Sequence, residues 1–263
     1  MDLGIRGKTA WVGGASRGLG LAVCEQLAAE GANLVMVARG SEDLDIACER
    51  LVQEYGVNAV SIAGDLSLVA DIKRVLQATR QHFDTIDILF HNTGGPPPGL
   101  FLDHEDGAWI AAFEGLLMSV VRLCRSVIPL MQQNRWGRIV INTSFTVKEP
   151  APRLILSNVF RTAVVALAKT LSREVADAGI TVNCVCPGAF DTQRLRSVFE
   201  EQAAATGQTV QEIQKSWESR IPVGRILEPK ELADLVAFLV SDLAGGITGT
   251  STSIEGGMLH GLF

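Results

Sequence analysis

The sequence predicts a doubly wound α/β fold, a parallel seven-stranded sheet with helices on both faces. Three observations carry this reading. Apolar stretches of strand length alternate along the chain with amphipathic stretches of helix length. The strand candidates are rich in Val and Ile and scarcely alternate with polar residues, as strands do when helices cover both faces. A glycine-rich turn stands between the first strand and the first helix.

In chain order, residues 9–13 read as a strand and 19–30 as a helix. A strand at 33–38 leads to a helix at 42–55, and one at 59–63 to a helix at 69–83. The strand at 86–91 is followed by one long helix, 108–133. Next come a strand at 138–142, a helix at 159–178 and a strand at 181–185. A polar, helix-prone insertion fills 195–219, and a helix at 230–241 and a strand at 251–254 follow. Successive βα units require right-handed crossovers. With 263 residues, 47% of them hydrophobic, and no linker or repeat, one domain over 1–263 is expected.

Composition excludes several classes of partner. A formal net charge of -6 leaves no basic footprint for nucleic acid. No apolar run is expected to span a bilayer, and Met1-Asp2-Leu3-Gly4-Ile5-Arg6 does not read as a signal peptide. Cytoplasmic location without membrane association is therefore expected. The cysteines Cys24, Cys48, Cys124, Cys184 and Cys186 have no zinc spacing, so no metal is expected. They read as small buried residues, with Cys184 and Cys186 on one side of a strand.

The glycine turn is Gly13-Gly14-Ala15-Ser16-Arg17-Gly18-Leu19-Gly20. Gly14, Gly18 and Gly20 permit a tight turn, close backbone approach to a pyrophosphate, and close helix–strand packing. The following helix offers unpaired N–H groups to phosphates. The competing reading is a glycine-rich turn without a ligand.

Further motifs in register make the chain resemble the classical short-chain dehydrogenase/reductase family along essentially its whole length. The opening matches TGxxxGxG with Gly13 in place of Thr, and Asp65 with Leu66 follows the third strand. His91-Asn92-Thr93-Gly94 matches NNAG, and Pro187-Gly188 and Thr192 follow the sixth strand. The resemblance implies a Rossmann-type sheet and a dinucleotide held by Gly14, Ser16, Arg17, Gly18, Leu19 and Gly20. Asp65, Leu66, Asn92, Gly94, Arg161, Pro187, Gly188 and Thr192 complete that implied site. It also implies a homodimer or homotetramer, a substrate lid over about 190–222, and a small carbonyl or alcohol substrate. The chain is similar to members labelled 3-oxoacyl-acyl-carrier-protein reductases. The second strand ends at Ala38 and Arg39 rather than at a carboxylate. Arg39, with Arg17 in the glycine turn, suits a 2′-phosphate, so NADP(H) is the expected cofactor.

The reaction centre departs from the family set of Asn, Ser, Tyr and Lys. In register, Ser144 falls on the serine, Ser157 on the tyrosine, Arg161 on the lysine and Leu116 on the asparagine. The one tyrosine of the chain, Tyr55, falls in the second helix. Serine is a far weaker acid than tyrosine, and arginine stays protonated, so neither restores the usual proton relay. Lys148, four residues after Ser144, reads either as a substitute general acid or as a solvent-facing loop lysine. Arg153 on the same loop suits an anionic substrate. The segment 94–99, with three consecutive prolines, reads as a cleft wall or a rigid turn, and His104 as a titrating or a surface histidine. Two functions compete: an atypical NADP(H)-dependent oxidoreductase, and an NADP(H)-binding pseudoenzyme with a structural or regulatory role. A lyase or isomerase on the same scaffold is a third. The apolar tail 258–263 suits burial between subunits.

Overall fold

The computed structural model describes residues 1–262. Seven parallel strands lie in the order β3-β2-β1-β4-β5-β6-β7: β1 Thr9–Gly13, β2 Asn33–Ala38, β3 Ala59–Ala63, β4 Ile88–His91, β5 Gly137–Asn142, β6 Ile180–Pro187 and β7 Ser251–Ile254. The helices are α1 Gly18–Ala29, α2 Glu42–Tyr55, α3 Val69–Thr79, α4 Asp106–Ala112, α5 Ser119–Asn134, α6 Ile155–Val175, α7 Gln193–Thr206, α8 Val210–Glu218 and α9 Pro229–Leu239. The expected fold class is the one found.

Two apolar layers sandwich the sheet. Val12, Leu34, Met36, Ile88 and Phe90 face Val23, Leu27, Leu44 and Leu51 of α1 and α2 and Leu232 and Val236 of α9. Trp11, Val35, Leu89 and Ile139 face Ile72 of α3, Leu123 and Val127 of α5, and Val164 of α6. Adjacent strand residues therefore serve opposite layers, which is why these strands read as unbroken apolar runs. Because β1 pairs with both β2 and β4, chain direction across the sheet reverses there, and the C-terminal ends of β1 and β4 open a crevice.

The long helix expected at 108–133 is interrupted. Between α4 and α5 the chain makes a π-helical turn, Phe113–Met118. Gly115 weakens the helix there, and Ser119 Oγ donates to the Gly115 carbonyl at 2.7 Å. The insertion at 195–219 resolves into two helices, because Gly207 adopts φ +72° and Thr209 begins a new capping box with Glu212. α6 starts at Ile155, one turn before its expected beginning, which brings Ser157 into its first turn. Contrary to the sequence expectation, Asp106–Asn134 and Ile155–Ala178 are long and apolar enough to cross a bilayer. Both pack on the sheet, and their outer faces also carry apolar residues such as Ile110 and Val159, which raises their mean hydropathy. All five cysteines are buried and free.

Candidate active site

The turn after β1 is set by close approach. Gly14 takes φ +61° and Gly18 φ +57°, backbone states that favour glycine. A Cβ at Gly20 would lie 2.1 Å from the Gly14 carbonyl oxygen, and one at Gly14 2.6 Å from Asn92 Nδ2. The departure at Gly13 has a local reason as well: a Cβ there would lie 2.6 Å from the Asn92 carbonyl oxygen. Asn92 Nδ2 donates to the Gly13 carbonyl at 3.2 Å, which ties β4 to the turn. α1 begins at Gly18 behind Arg17, with no side-chain cap and no acidic residue in its first turn. Its leading N–H groups and dipole are thus uncompensated by the chain, the condition for receiving phosphate. These close approaches fix a turn that only glycine allows at Gly14 and Gly20, just before an uncapped helix start, so the residues present fit a dinucleotide.

Arg17 and Arg39 are both exposed at the same crevice end, after β1 and after β2. Arg17 Nη1 donates to Gln193 Oε1 at 2.6 Å, which joins the glycine turn to the start of α7. Asp65 accepts from both the N–H and the hydroxyl of Ser67 through Oδ1, and its own N–H donates to Asp71 at 2.8 Å. That locks the carboxylate at the end of β3. Leu66 is buried among Ile72 and Val75, so its side chain serves the core. Gly94 is exposed with open space around it, and Gly188 closes on Glu255 after β6. Thr192 caps α7 by accepting from Leu195 N–H at 3.3 Å and lies against Gly18.

The second half of the site grows from the end of β5. Ser144 accepts from Thr146 N–H at 3.2 Å, capping the short turn Phe145–Val147, so its own proton remains free to donate. α6 packs on that turn. Ser157 and Arg161 are one helical turn apart on the inner face of α6, and each is only 8% exposed. Arg161 Nη1 donates to the carbonyls of Asn142 at 3.0 Å and Thr143 at 2.8 Å. Burial lowers its guanidinium to about 10, so it stays charged at neutral pH. Lys148 is half-buried, and its charge acts on the thiols of Cys184 and Cys186, though burial still raises both. The structure therefore brings Ser144, Ser157, Arg161 and Lys148 to one end of the sheet. Leu116 lines the same region from the π-helical turn. Tyr55 ends α2 and packs on the opposite layer.

Two loops wall the crevice. Gly99 N–H donates to the Arg153 carbonyl at 2.7 Å, and Gly99 bridges to Leu154 in parallel register. Arg153 sits at φ +60° with its side chain exposed, 4.0 Å from Asp103. His104 is half-buried against Gly99, and its Nε2 has no partner, so it is part of this wall rather than a solvated side chain. The helices α7 and α8 enclose their own small core of Phe199, Ala203 and Ile213, with Trp217 against Phe199. They leave and rejoin the sheet through a short ladder between Phe190 and Leu227. Sequence reasoning missed Gln193 and the roles of Asn142 and His91. The signal for His91 was present, since it fills the first position of the NNAG match.

The chain is similar to known proteins along most of its length. A family profile described as Enoyl-(Acyl carrier protein) reductase matches residues 14–259. The 3-oxoacyl-[acyl-carrier-protein] reductase FabG of Escherichia coli is 32% identical over 97% of this chain and 99% of its own length. The L-sorbose reductase of Gluconobacter frateurii, solved with NADPH and L-sorbose, superposes with a TM-score of 0.95 at 33% identity over the whole of both chains. An actinorhodin polyketide ketoreductase solved with NADPH gives a TM-score of 0.91 at 31% identity, over 96% of this chain and 97% of its own.

Proposed function

Because this chain belongs to the short-chain dehydrogenase/reductase family and is an NADP(H)-dependent oxidoreductase of that kind, we propose that it interconverts a small ketone and its secondary alcohol on a divergent centre. The observation that carries this is the joint placement of the glycine cradle and the Ser144–Ser157–Arg161 face at one crevice. When bound, NADPH supplies the hydride. Gly14, Ser16, Gly18, Leu19 and Gly20 hold its pyrophosphate, and Arg17 and Arg39 its 2′-phosphate. Asp65, Leu66 and Asn92 line the adenosine side, through the backbone in the case of Leu66. Gly94, Pro187, Gly188 and Thr192 face the nicotinamide half.

Ser144 donates its free proton in a hydrogen bond to the carbonyl oxygen. Ser157 holds the same oxygen from α6, in place of the family tyrosine. Arg161 adds fixed positive charge behind them and pins the end of β5 through two carbonyls, in place of the family lysine. Lys148 is the donor that delivers the proton to the developing alkoxide. The relatives described above act, by name, on a 3-oxoacyl thioester, a polyketide ketone and a ketose. A small ketone or 3-oxoacyl thioester is therefore the substrate class, with α7 and α8 as its lid over about 190–222 in a single domain of 1–263. The pseudoenzyme reading has no support among these relatives. Ser144→Ala is expected to lower NADPH-dependent ketone reduction by roughly 100-fold. Lys148→Ala should lower kcat more than it raises KM. Unchanged rates in the lysine variant assign the proton to another group.

The five free, buried thiols suit a reducing cytoplasm. Homodimer or homotetramer formation is supported by the apolar outer surface of Leu100, Phe101, Leu102, Ile110, Phe113 and Val159, which are all exposed. The tail, described as far as Leu262, adds further exposed apolar surface, while Phe263 lies outside the described residues. Sedimentation of the purified protein should give a mass of two or four chains, and a Phe101→Lys, Ile110→Lys variant a smaller one. A monomer in the native protein contradicts this.

A further inference from the structure

Behind the inner face of α6 lies a small cavity of about 10 Å³, lined by His91, Leu116, Val120, Asn142, Arg161 and Val164 among others. That volume suits one water molecule and nothing larger. The hydrogen bonds around it determine what its polar walls present. Ser119 Oγ spends its single proton on the Gly115 carbonyl, 2.7 Å away. His91 Nε2 lies 2.9 Å from the same Oγ, so the ring nitrogen must be the donor. His91 is thereby fixed as the Nε2–H tautomer, which leaves Nδ1 as a bare acceptor. Burial, with the Arg161 charge second, pushes the imidazole down to about 3, while its own carbonyl pulls the other way from outside hydrogen-bond geometry.

Asn142 is fixed by a similar chain of reasoning. Asn92 Nδ2 donates to the Gly13 carbonyl, so Asn92 Oδ1 is left to accept. Asn142 Nδ2 supplies that bond at 2.8 Å. Asn142 Oδ1 is then an acceptor, and both it and His91 Nδ1 are buried without a protein partner. Across from them, both hydrogen bonds that Arg161 makes to the protein leave from Nη1, so its other N–H groups are uncommitted among the described residues. Two acceptors and one cationic donor, around space for one water, complement the two protons and two lone pairs of that molecule.

We propose that this cavity binds one structural water, which donates to His91 Nδ1 and Asn142 Oδ1 and accepts from Arg161, and that His91 is the positioning residue for the guanidinium. The water and the neutral imidazole hold the cation in place from behind, while the Asn142 and Thr143 carbonyls hold it from the strand. Leu116 and Val120 seal the site against exchange. This water site belongs to the chain alone and does not depend on which ketone is reduced.

A crystal structure of the wild-type protein, at a resolution that shows ordered water, tests it directly. One peak is expected within about 2.6–3.2 Å of His91 Nδ1, Asn142 Oδ1 and an Arg161 nitrogen. Long-range ¹H–¹⁵N correlation should read His91 as the neutral Nε2–H tautomer from pH 5 to 8. In a His91→Phe variant the peak should vanish and the Arg161 guanidinium ¹⁵N resonances should shift and broaden. No peak in the wild type, or an Nδ1–H tautomer, overturns the water site. Unmoved Arg161 resonances in His91→Phe overturn the positioning role, and if that variant does not fold, the wild-type measurements decide the water site while a His91→Gln variant gives the same Arg161 readout.

Discussion

Gly20→Ala is expected to cost at least roughly 100-fold in NADPH affinity while Gly107→Ala costs nothing measurable. The asymmetry follows from what each new methyl group would meet. At Gly20 the three nearest atoms are all backbone: the Gly14 oxygen at 2.1 Å, the Gly14 carbon at 2.6 Å and the Gly13 oxygen at 2.8 Å. No side chain can swing aside, so the turn itself must move. Gly14 already holds a left-handed φ of +61°, and the Gly13 carbonyl just before it is tied to Asn92 after β4, so it has little freedom to yield. Overpacking of this kind costs about 1–3 kcal/mol of stability. Its larger effect is on the cradle, since displacing Gly14 moves the N–H groups that receive the pyrophosphate. At Gly107 an added Cβ meets nothing within 4 Å, and φ is not positive. Isothermal titration of both variants with NADPH, alongside thermal melts, separates lost binding from lost folding. Wild-type affinity in Gly20→Ala means that the turn does not cradle the pyrophosphate.

The second large effect is acid sensitivity that begins well above the carboxylate range. His91 is held neutral, with its folded value at about 3 against an unfolded value of 6.5. Its folded value is depressed, so the unfolded chain binds the extra proton first between pH 6.5 and 3. Stability is therefore fully present above pH 6.5 and falls as pH drops through that window. The loss is about 3 kcal/mol by pH 4, a large share of the roughly 5–15 kcal/mol that holds a typical domain folded. Asp71, Asp191, Glu212 and Glu231 are also held below their ordinary values by their hydrogen-bond partners, but they are half-buried or exposed and titrate lower. Urea midpoints from pH 7 to 4 should fall steeply in the wild type. In His91→Gln, which cannot charge, the curve should start lower and run flatter above pH 4.5. Parallel curves would place the acid-sensitive group elsewhere.

Much of the fold is legible in the sequence because its signals are local. The nearly continuous apolar runs of β1 and β2 state that both faces are covered, and the turn from Gly13 to Gly20 marks where the first crossover begins. The break at Phe113–Met118 is not legible, because it depends on Ser119 and Gly115 bonding within the helix beside His91. The cofactor half of the site is readable for the same reason as the fold, since glycine spacing is backbone geometry written in one stretch of chain. The reaction half is not. Ser144 and Arg161 are named by register, but the carbonyls that hold Arg161 belong to Asn142 and Thr143 at the end of β5, and nothing in the spacing announces that contact. Gln193 is hidden likewise: its partner Arg17 stands 176 positions away in sequence and meets it only when α7 folds over the glycine turn.

The central claim is that the crevice takes NADP(H) with two guanidinium groups on the adenosine 2′-phosphate. Calorimetric titration of the wild-type protein with NADPH and with NADH, repeated on an Arg17→Ala, Arg39→Ala double variant, tests it most directly. A charge-assisted hydrogen bond is worth about 1.5–3 kcal/mol, so NADPH should bind the wild type at least roughly tenfold more tightly than NADH. The double variant should bind the two alike, at the weaker affinity. Equal affinities in the wild type, or no heat with either nucleotide, contradict the account.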